Sequence, residues 1–243
     1  MLLPPEAFIH VPALAGKVIA PEKSFFRRAG GWLADLDRVA RESGYPANWR
    51  LSDAEREATR AEVLSRQGQD LWVFAYGSLM WDPGIHVIEI RKAALTGFHR
   101  RFCLKSQIGR GSAEKPALMA ALDEGGDCQG LALRIPADHV DPETRMLWQR
   151  EMLAGSYVPR FVPVATPQGG IEAVTFLINR QSDRYVELDI DETARLIATG
   201  CGVRGTCFEY LENLAERLEL LGLEDRRICA LHERVRRLRM NGQ

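Results

Sequence analysis

Cysteine is scarce in this 243-residue chain: five, at positions 103, 128, 201, 207 and 229, an odd number with no pair in CxxC spacing. That pattern excludes a disulfide framework and a cysteine-based zinc site. The histidines, His10, His86, His99, His139 and His232, are scattered, so no metal site is expected from their spacing. Charge of one sign is not in excess either. The 32 Lys and Arg stand against 33 Asp and Glu, a net charge of -1, which excludes a global basic field for nucleic acid. No apolar run approaches the ~20 residues of a membrane span. The opening MLLPPEAFIHVPALAGKVIAPEK has no basic lead, and prolines and Glu6 break its apolar stretch, so it does not read as a signal peptide. These absences together point to a cytoplasmic protein with reduced thiols and no membrane or nucleic-acid partner.

What is present suits a globular chain. Hydrophobic residues are 46% and charged residues 27%, which excludes collagen-like, low-complexity and disordered classes. The length suits one domain, or one with an appendage. Prolines at 4, 5, 12 and 21, followed by Gly30-Gly31, predict an irregular arm. Residues 32–43 predict a short helix. Ser52 with Glu55 three residues on is a capping box, and it predicts a second helix running to about Gln67 with Gly68 as its stop.

The texture changes at residue 71, where LWVFAY predicts a buried strand that ends at Gly77-Ser78. Further strands are expected at 94–104, 117–123, 128–135, 157–165 and 171–178, with a loop at 106–116. Helices are expected at 141–154, 191–199, 206–221 and 224–239. Strands fill the middle and helices the ends, without strict alternation. The fold class is therefore α+β with a mixed or closed small sheet. The boundary falls near residue 69, between an N-terminal arm with helices (1–69) and the main domain (70–243).

Three constellations bear chemistry. A strand that stops at Gly77-Ser78 exposes backbone N–H groups that can form an anion-binding nest, glycine tolerating a positive φ there; an ordinary strand-to-loop turn is the alternative. Ser78 is a weaker candidate nucleophile, because Met80 stands where an esterase elbow needs glycine. In DPETRMLWQREMLA, with Asp141 as cap, Pro142 behind it and Gly155 as stop, Glu151 shares a helix face with Leu147 and Trp148. Arg145, Gln149 and Arg150 are expected to point elsewhere. A carboxyl on a buried apolar face has its pKa raised toward the range of a general acid or base; the alternative is a rim carboxylate paired with an arginine. Arg110, between Gly109 and Gly111, suits a mobile loop that offers one cation to an anion, or a plain solvated loop. The arginines from 226 to 239 read as a solvated helical face.

VFAYGSLMWDP, GFHRRFCL followed by GRG, LWQREMLAGSYVP, and GTCFEYLENL followed by LGLED together resemble the ChaC family of γ-glutamylcyclotransferases, its bacterial branch especially. The resemblance covers roughly residues 71 to 238. It implies a small mixed-strand barrel with flanking helices. It implies cyclisation of the γ-glutamyl group of glutathione to 5-oxoproline with release of Cys-Gly, without metal or cofactor. A cyclotransferase for other γ-glutamyl compounds, or a non-catalytic interaction protein on the same fold, are the alternatives. By position, the substrate loop runs through Val73, Phe74, Ala75, Tyr76, Gly77, Ser78 and Leu79. Glu151 is the catalytic carboxylate, and Tyr157 and Tyr210 line the pocket. Arg110 is expected to reach the glycine carboxylate of glutathione. Position 75 is Ala where some members have Gly, position 207 is Cys where relatives have Asn, and the arm has no counterpart in shorter members.

Overall fold

The computed structural model describes residues 3–28, 31–65 and 69–241. Gly30 and the expected end of the second helix at Gln67-Gly68 lie outside these residues.

The arm is irregular but not loose. It runs through four single-turn 3-10 helices, Pro5–Phe8, Pro12–Leu14, Pro21–Lys23 and Phe25–Arg27. The first three open on proline, whose fixed φ suits a first turn and whose missing N–H is not needed there. Leu3, Ala7, Phe8, Val11 and Leu14 are buried in the same core as Trp81, Trp148 and Leu214. Two helices follow, α1 (Trp32–Glu42) and α2 (Asp53–Val63). The Ser52–Glu55 capping box forms: Glu55 N donates to Ser52 Oγ at 3.2 Å, and Ser52 N donates to Glu55 Oε2 at 2.7 Å.

Strands β1 (Leu71–Ala75), β2 (Glu89–Ser106), β3 (Ala117–Ile135), β4 (Tyr157–Thr166) and β5 (Gly169–Ile178) close a barrel in the order β1-β3-β2-β4-β5. β1 meets β5 in parallel, while the β1–β3, β2–β3, β2–β4 and β4–β5 pairs are antiparallel. The mixed closed sheet expected from the sequence is therefore present, but its middle differs in detail. Residues 117–123 and 128–135 are one 19-residue strand, and β2 begins at Glu89 rather than 94. Gly97, Gly125 and Gly126 take positive φ at a register shift between Thr96 and Phe98. The glycines act as a bulge that bends two long strands around the barrel, not as a loop that ends them.

Side chains alternate along β1 as the period of two requires. Phe74 and Tyr76 pack with Leu95, Leu122, Val162 and Ala173. Val73 and Ala75 join the larger core with Trp148, Leu211 and Leu214. Helices cover that second face: α3 (Val140–Glu151), α4 (Ile190–Thr199), α5 (Cys207–Leu221) and α6 (Arg226–Asn241). A short hairpin, β6 (Cys201–Gly202) and β7 (Gly205–Thr206), precedes α5. α5 carries its own capping box, Thr206 with Glu209, and stops on Gly222 at φ 62°. α3 ends three residues earlier than the sequence suggests. The Leu153 carbonyl instead accepts the Leu51 N–H at 2.9 Å, which ties the end of the helix to the segment before α2. No helix among the described residues is long and apolar enough to cross a membrane.

Gly130 on β3 lies close against the end of β1: a Cβ there would overlap the Ala75 carbonyl oxygen. Gly130→Ala is expected to cost about 1–3 kcal/mol. Gly170→Ala, in open space on β5, is expected to stay within about 0.5 kcal/mol of the parent. Urea denaturation of both variants checks the pair; equal stabilities would contradict the close approach.

Candidate active site

Strand β1 delivers a turn to the edge of the barrel. After Ala75 the chain passes Tyr76 and Gly77 into a single 3-10 turn, Ser78–Met80. Met80 N donates to Gly77 O and Asp82 N to Ser78 O, each at 2.9 Å. Among the described residues the amides of Gly77 and Ser78 find no protein acceptor. Gly77 has φ −133°, so the positive φ expected of it is not used. The glycine is needed for space: the Tyr210 hydroxyl lies 2.8 Å from where a Cβ would stand. Val73, Phe74 and Ala75 are fully buried, and Leu79 nearly so.

Tyr76 is fixed at both ends. Its carbonyl accepts Arg100 Nε at 2.6 Å, and its hydroxyl donates to Phe176 O at 2.8 Å. Arg100, itself fully buried, also donates to Gln129 O at 2.6 Å and pairs with Asp225.

Glu151 is the last residue of α3. Its side chain is 14% exposed and meets Arg150 Nε at 2.9 Å through Oε1. Both features weighed from the sequence, burial and an arginine partner, thus occur in one residue. Burial raises its pKa above the ordinary carboxyl value, while the charges of Arg150 and Arg204 pull it back. The negative end of the helix dipole favours the neutral carboxyl as well.

Arg150 does not point away as a helical wheel suggests. Its guanidinium reaches back to the turn after β1, donating to Ser78 Oγ at 2.7 Å and to the carbonyls of Asp82 at 2.5 Å and Pro83 at 3.3 Å. Those carbonyls belong to a loop with no sheet partner, so the long side chain satisfies what the fold leaves open. Ser78 therefore faces a guanidinium, which cannot take its proton, and it lacks the base a nucleophile needs.

Three buried tyrosine hydroxyls, those of Tyr76, Tyr157 and Tyr210, feel the Glu151 charge. Tyr157 starts β4, with its hydroxyl 3.4 Å from Ala120 O. Tyr210 on α5 lies edge-on to Trp81 at 5.4 Å and to Phe102 at 5.9 Å. Burial first, and then the nearby Glu151 charge among others, pushes the Tyr210 hydroxyl up to about 12 and holds those of Tyr76 and Tyr157 well above their ordinary value. All three stay protonated at neutral pH and can donate hydrogen bonds.

Arg110 is not on a free loop. Arg204 N donates to Gly109 O at 2.8 Å, and a Cβ on Gly111 would meet the backbone at Ser106 and Ala117. Arg110 itself donates to Thr206 O at 3.0 Å, stands 3.5 Å from Glu209 Oε2, and lies 5.9 Å over the Tyr210 ring. Cys207 is buried, with Sγ donating to Leu118 O at 2.9 Å; burial pushes its thiol up to about 12.

Sequence reasoning missed Arg204 and the pair Phe25-Phe26. Arg204 sits at the tip of the β6–β7 hairpin, and its guanidinium lies 4.5 Å over Phe25 and 4.4 Å over Phe26. No local pattern marks any of these residues. Among the described residues, no group of three or more His, Cys, Asp or Glu is arranged to hold a metal ion.

A family model described as ChaC-like protein matches residues 71–238. A glutathione-specific gamma-glutamylcyclotransferase of Escherichia coli (strain K12) is 36% identical over 181 residues, covering 72% of this chain and 77% of that protein. One of Schizosaccharomyces pombe is 30% identical over 190 residues, covering 69% of this chain and 91% of its own length. A crystal structure of a yeast gamma-glutamyl cyclotransferase specific to glutathione superimposes with a TM-score of 0.67. It is 22% identical and covers 72% of this chain and 99% of its own, a likeness of fold.

The crowding of Gly77 by Tyr210 is testable without any assay of activity. Gly77→Ala is expected to lose stability, and Tyr210→Phe, which removes the crowding oxygen, to restore part of it. A double-mutant cycle by thermal denaturation should give a favourable coupling of about 0.5–3 kcal/mol. Simple additivity would contradict the contact.

Proposed function

This chain belongs to the ChaC-like protein family, and from that membership we propose that it cleaves glutathione by cyclising its γ-glutamyl group, giving 5-oxoproline and Cys-Gly. It is then a glutathione-specific γ-glutamylcyclotransferase, a carbon–nitrogen lyase that acts in glutathione catabolism. The observation that carries the mechanism is the buried Glu151 carboxyl, raised in pKa, at the end of α3 beside a turn with two free amides.

The substrate's own α-amine is the nucleophile, so no water enters. As an ammonium the amine has no lone pair; Glu151 takes its proton. The nitrogen then attacks the γ-carbonyl carbon and the ring closes. The ring nitrogen's second proton passes to the cysteine nitrogen as the bond between that nitrogen and the γ-carbon breaks, and Glu151 returns the first proton to the freed amine, which leaves as an ammonium. Atoms and charge balance within one substrate. Holding the glutamyl chain in a ring-closing pose supplies effective molarity.

The other residues take supporting roles in this proposal. Val73, Phe74 and Ala75 hold the loop from below, and Leu79 closes it behind. The amides of Gly77 and Ser78 receive the negative oxygen the glutamyl group presents, its α-carboxylate or the developing oxyanion. Tyr76, Tyr157 and Tyr210 wall the pocket with rings that exclude water, and the Tyr210 hydroxyl, whose proton is not committed among the described residues as those of Tyr76 and Tyr157 are, donates to the substrate. Arg110 adds positive charge at the mouth beside Tyr210. Residues 70–243 act as the catalytic domain, with 1–69 added to it. Five unpaired cysteines favour a reducing compartment, the cytoplasm.

Glu151→Gln keeps size and hydrogen-bonding groups but removes the base. The variant is expected to retain its circular dichroism spectrum and lose 5-oxoproline release by roughly 100-fold or more. Turnover within a few-fold of the parent would remove Glu151 from the mechanism. In the parent, the base must be ionised and its pKa is raised, so kcat/KM should fall with decreasing pH along a limb centred above 4.5; a limb at or below that value would contradict the assignment.

The chemistry also sets substrate rules. N-acetylation of the glutamyl amine removes the nucleophile, and an α-linked Glu-Cys-Gly cannot close on a γ-carbonyl. Both compounds are expected to yield no 5-oxoproline under conditions that consume glutathione, and measurable release from either would refute the intramolecular attack.

A further inference from the structure

Three guanidiniums, those of Arg110, Arg150 and Arg204, act on one another or on Glu151 through their charge. Two of them are engaged. Arg150 holds Glu151 and the turn after β1, and Arg110 holds Thr206 O beside Glu209. Arg204 is different. Among the described residues its guanidinium meets no carboxylate and makes no hydrogen bond; it lies against the rings of Phe25 and Phe26. Burial, with Arg150 and Arg110 as like-charged neighbours, lowers its pKa to about 9, and the charges of Asp82 and Glu151 offset that only in part. A half-buried cation with no anion in contact is costly to a fold, and a ligand carboxylate relieves that cost.

The position of this cation is built, not accidental. Gly202 is packed so tightly against the carbonyls of Gly109 and Gly111 that a Cβ would overlap them, and the Arg204 N–H is held by Gly109 O at 2.8 Å. The arm is pinned on its own side. Ser24 Oγ accepts Phe26 N at 3.2 Å, Arg27 Nε donates to Gly84 O at 2.6 Å, and Arg27 pairs with Glu143 of α3. Ile19 N donates to Trp81 O at 2.8 Å. Phe26 meets Trp32 edge-on at 5.1 Å and also faces the Arg150 guanidinium at 4.1 Å. One short arm segment thus touches two of the three arginines, and it lies outside the span 71–238 that matches the family.

A γ-glutamyl peptide carries a second carboxylate, at the far end of its leaving group. We propose that Arg204 is a specificity-determining residue that takes this terminal carboxylate, and that Phe25 and Phe26 of the arm are the positioning residues that hold it there. The inference rests on the cyclotransferase reading and deepens it: the arm completes the leaving-group end of the site and selects peptides with a free C-terminus. In this proposal Arg110, whose guanidinium already donates to Thr206 O, keeps to the mouth of the site.

The test compares glutathione with its C-terminal amide on the full-length protein. The parent should prefer glutathione. Arg204→Ala should raise KM for glutathione roughly 10- to 100-fold more than KM for the amide, the size of a lost charge-assisted contact, while the loss of its charge on Glu151 acts on both compounds alike. Arg204→Lys should keep part of the preference. Phe25→Leu, which keeps bulk but removes the aromatic face, should show a smaller loss of the same kind. Equal effects of Arg204→Ala on both compounds, or no effect on either, would overturn the assignment. Binding of the same two compounds, followed by calorimetry in the Glu151→Gln background with and without Arg204→Ala, separates this inference from the activity. If the parent released no 5-oxoproline, the cyclotransferase reading would fail. Arg204 would still be upheld by a preference for the carboxylate that disappears in Arg204→Ala, and overturned by equal affinities for the two compounds.

Discussion

The guanidinium of Arg150 is the tie on which the site depends. Five groups converge on it: Ser78 Oγ, the carbonyls of Asp82 and Pro83, the Glu151 carboxylate, and the face of Phe26. It joins the turn after β1, the end of α3 and the N-terminal arm at one point. A side chain only 4% exposed makes such contacts in a low local dielectric, where each is stronger than in water and where losing one leaves a buried polar group unsatisfied. The turn and the carboxylate keep their relative positions because one planar, always-charged fork holds both.

That arrangement also explains how Glu151 is balanced. Burial alone would drive its pKa far up and leave the carboxyl neutral and useless as a base. Arginine charge alone would hold it low, too weak a base to take a proton. The structure opposes the two effects, and the result is a carboxyl raised but restrained by Arg150 and Arg204. The buried tyrosines contribute rings that exclude water and hydroxyls that remain protonated. The same economy of charge leaves Arg204 with no anion in contact, facing aromatic rings instead.

Features of the sequence that act locally were legible in it. The Ser52–Glu55 box and the placement of Glu151 on a face with Leu147 and Trp148 follow from spacing of three or four residues, and β1 from its apolar run, which ends at Ala75, just before Tyr76 and Gly77. The closed, mixed sheet followed from the order of elements. Long-range geometry was not legible. Gly125-Gly126 reads as a break in sequence because nothing nearby says that β2 bends with it. Arg150 was misassigned because a helical wheel gives the direction of a Cβ and not the reach of a long side chain toward unsatisfied carbonyls. Gly77 was credited with backbone freedom when its need is room for a tyrosine from α5. Arg204, Phe25 and Phe26 carry no signal at all, since their meaning arises only where the arm and the β6–β7 hairpin meet.

The central claim is that the fold keeps the Glu151 carboxyl above its ordinary pKa while leaving it ionisable. Carbon-13 NMR of protein labelled at the glutamate carboxyls measures this directly, with the Glu151 resonance identified by its absence from Glu151→Gln. The account predicts a titration midpoint above 4.5 but low enough that the carboxyl is ionised at neutral pH. A midpoint at or below 4.5, or a resonance that stays protonated through neutrality, would contradict it.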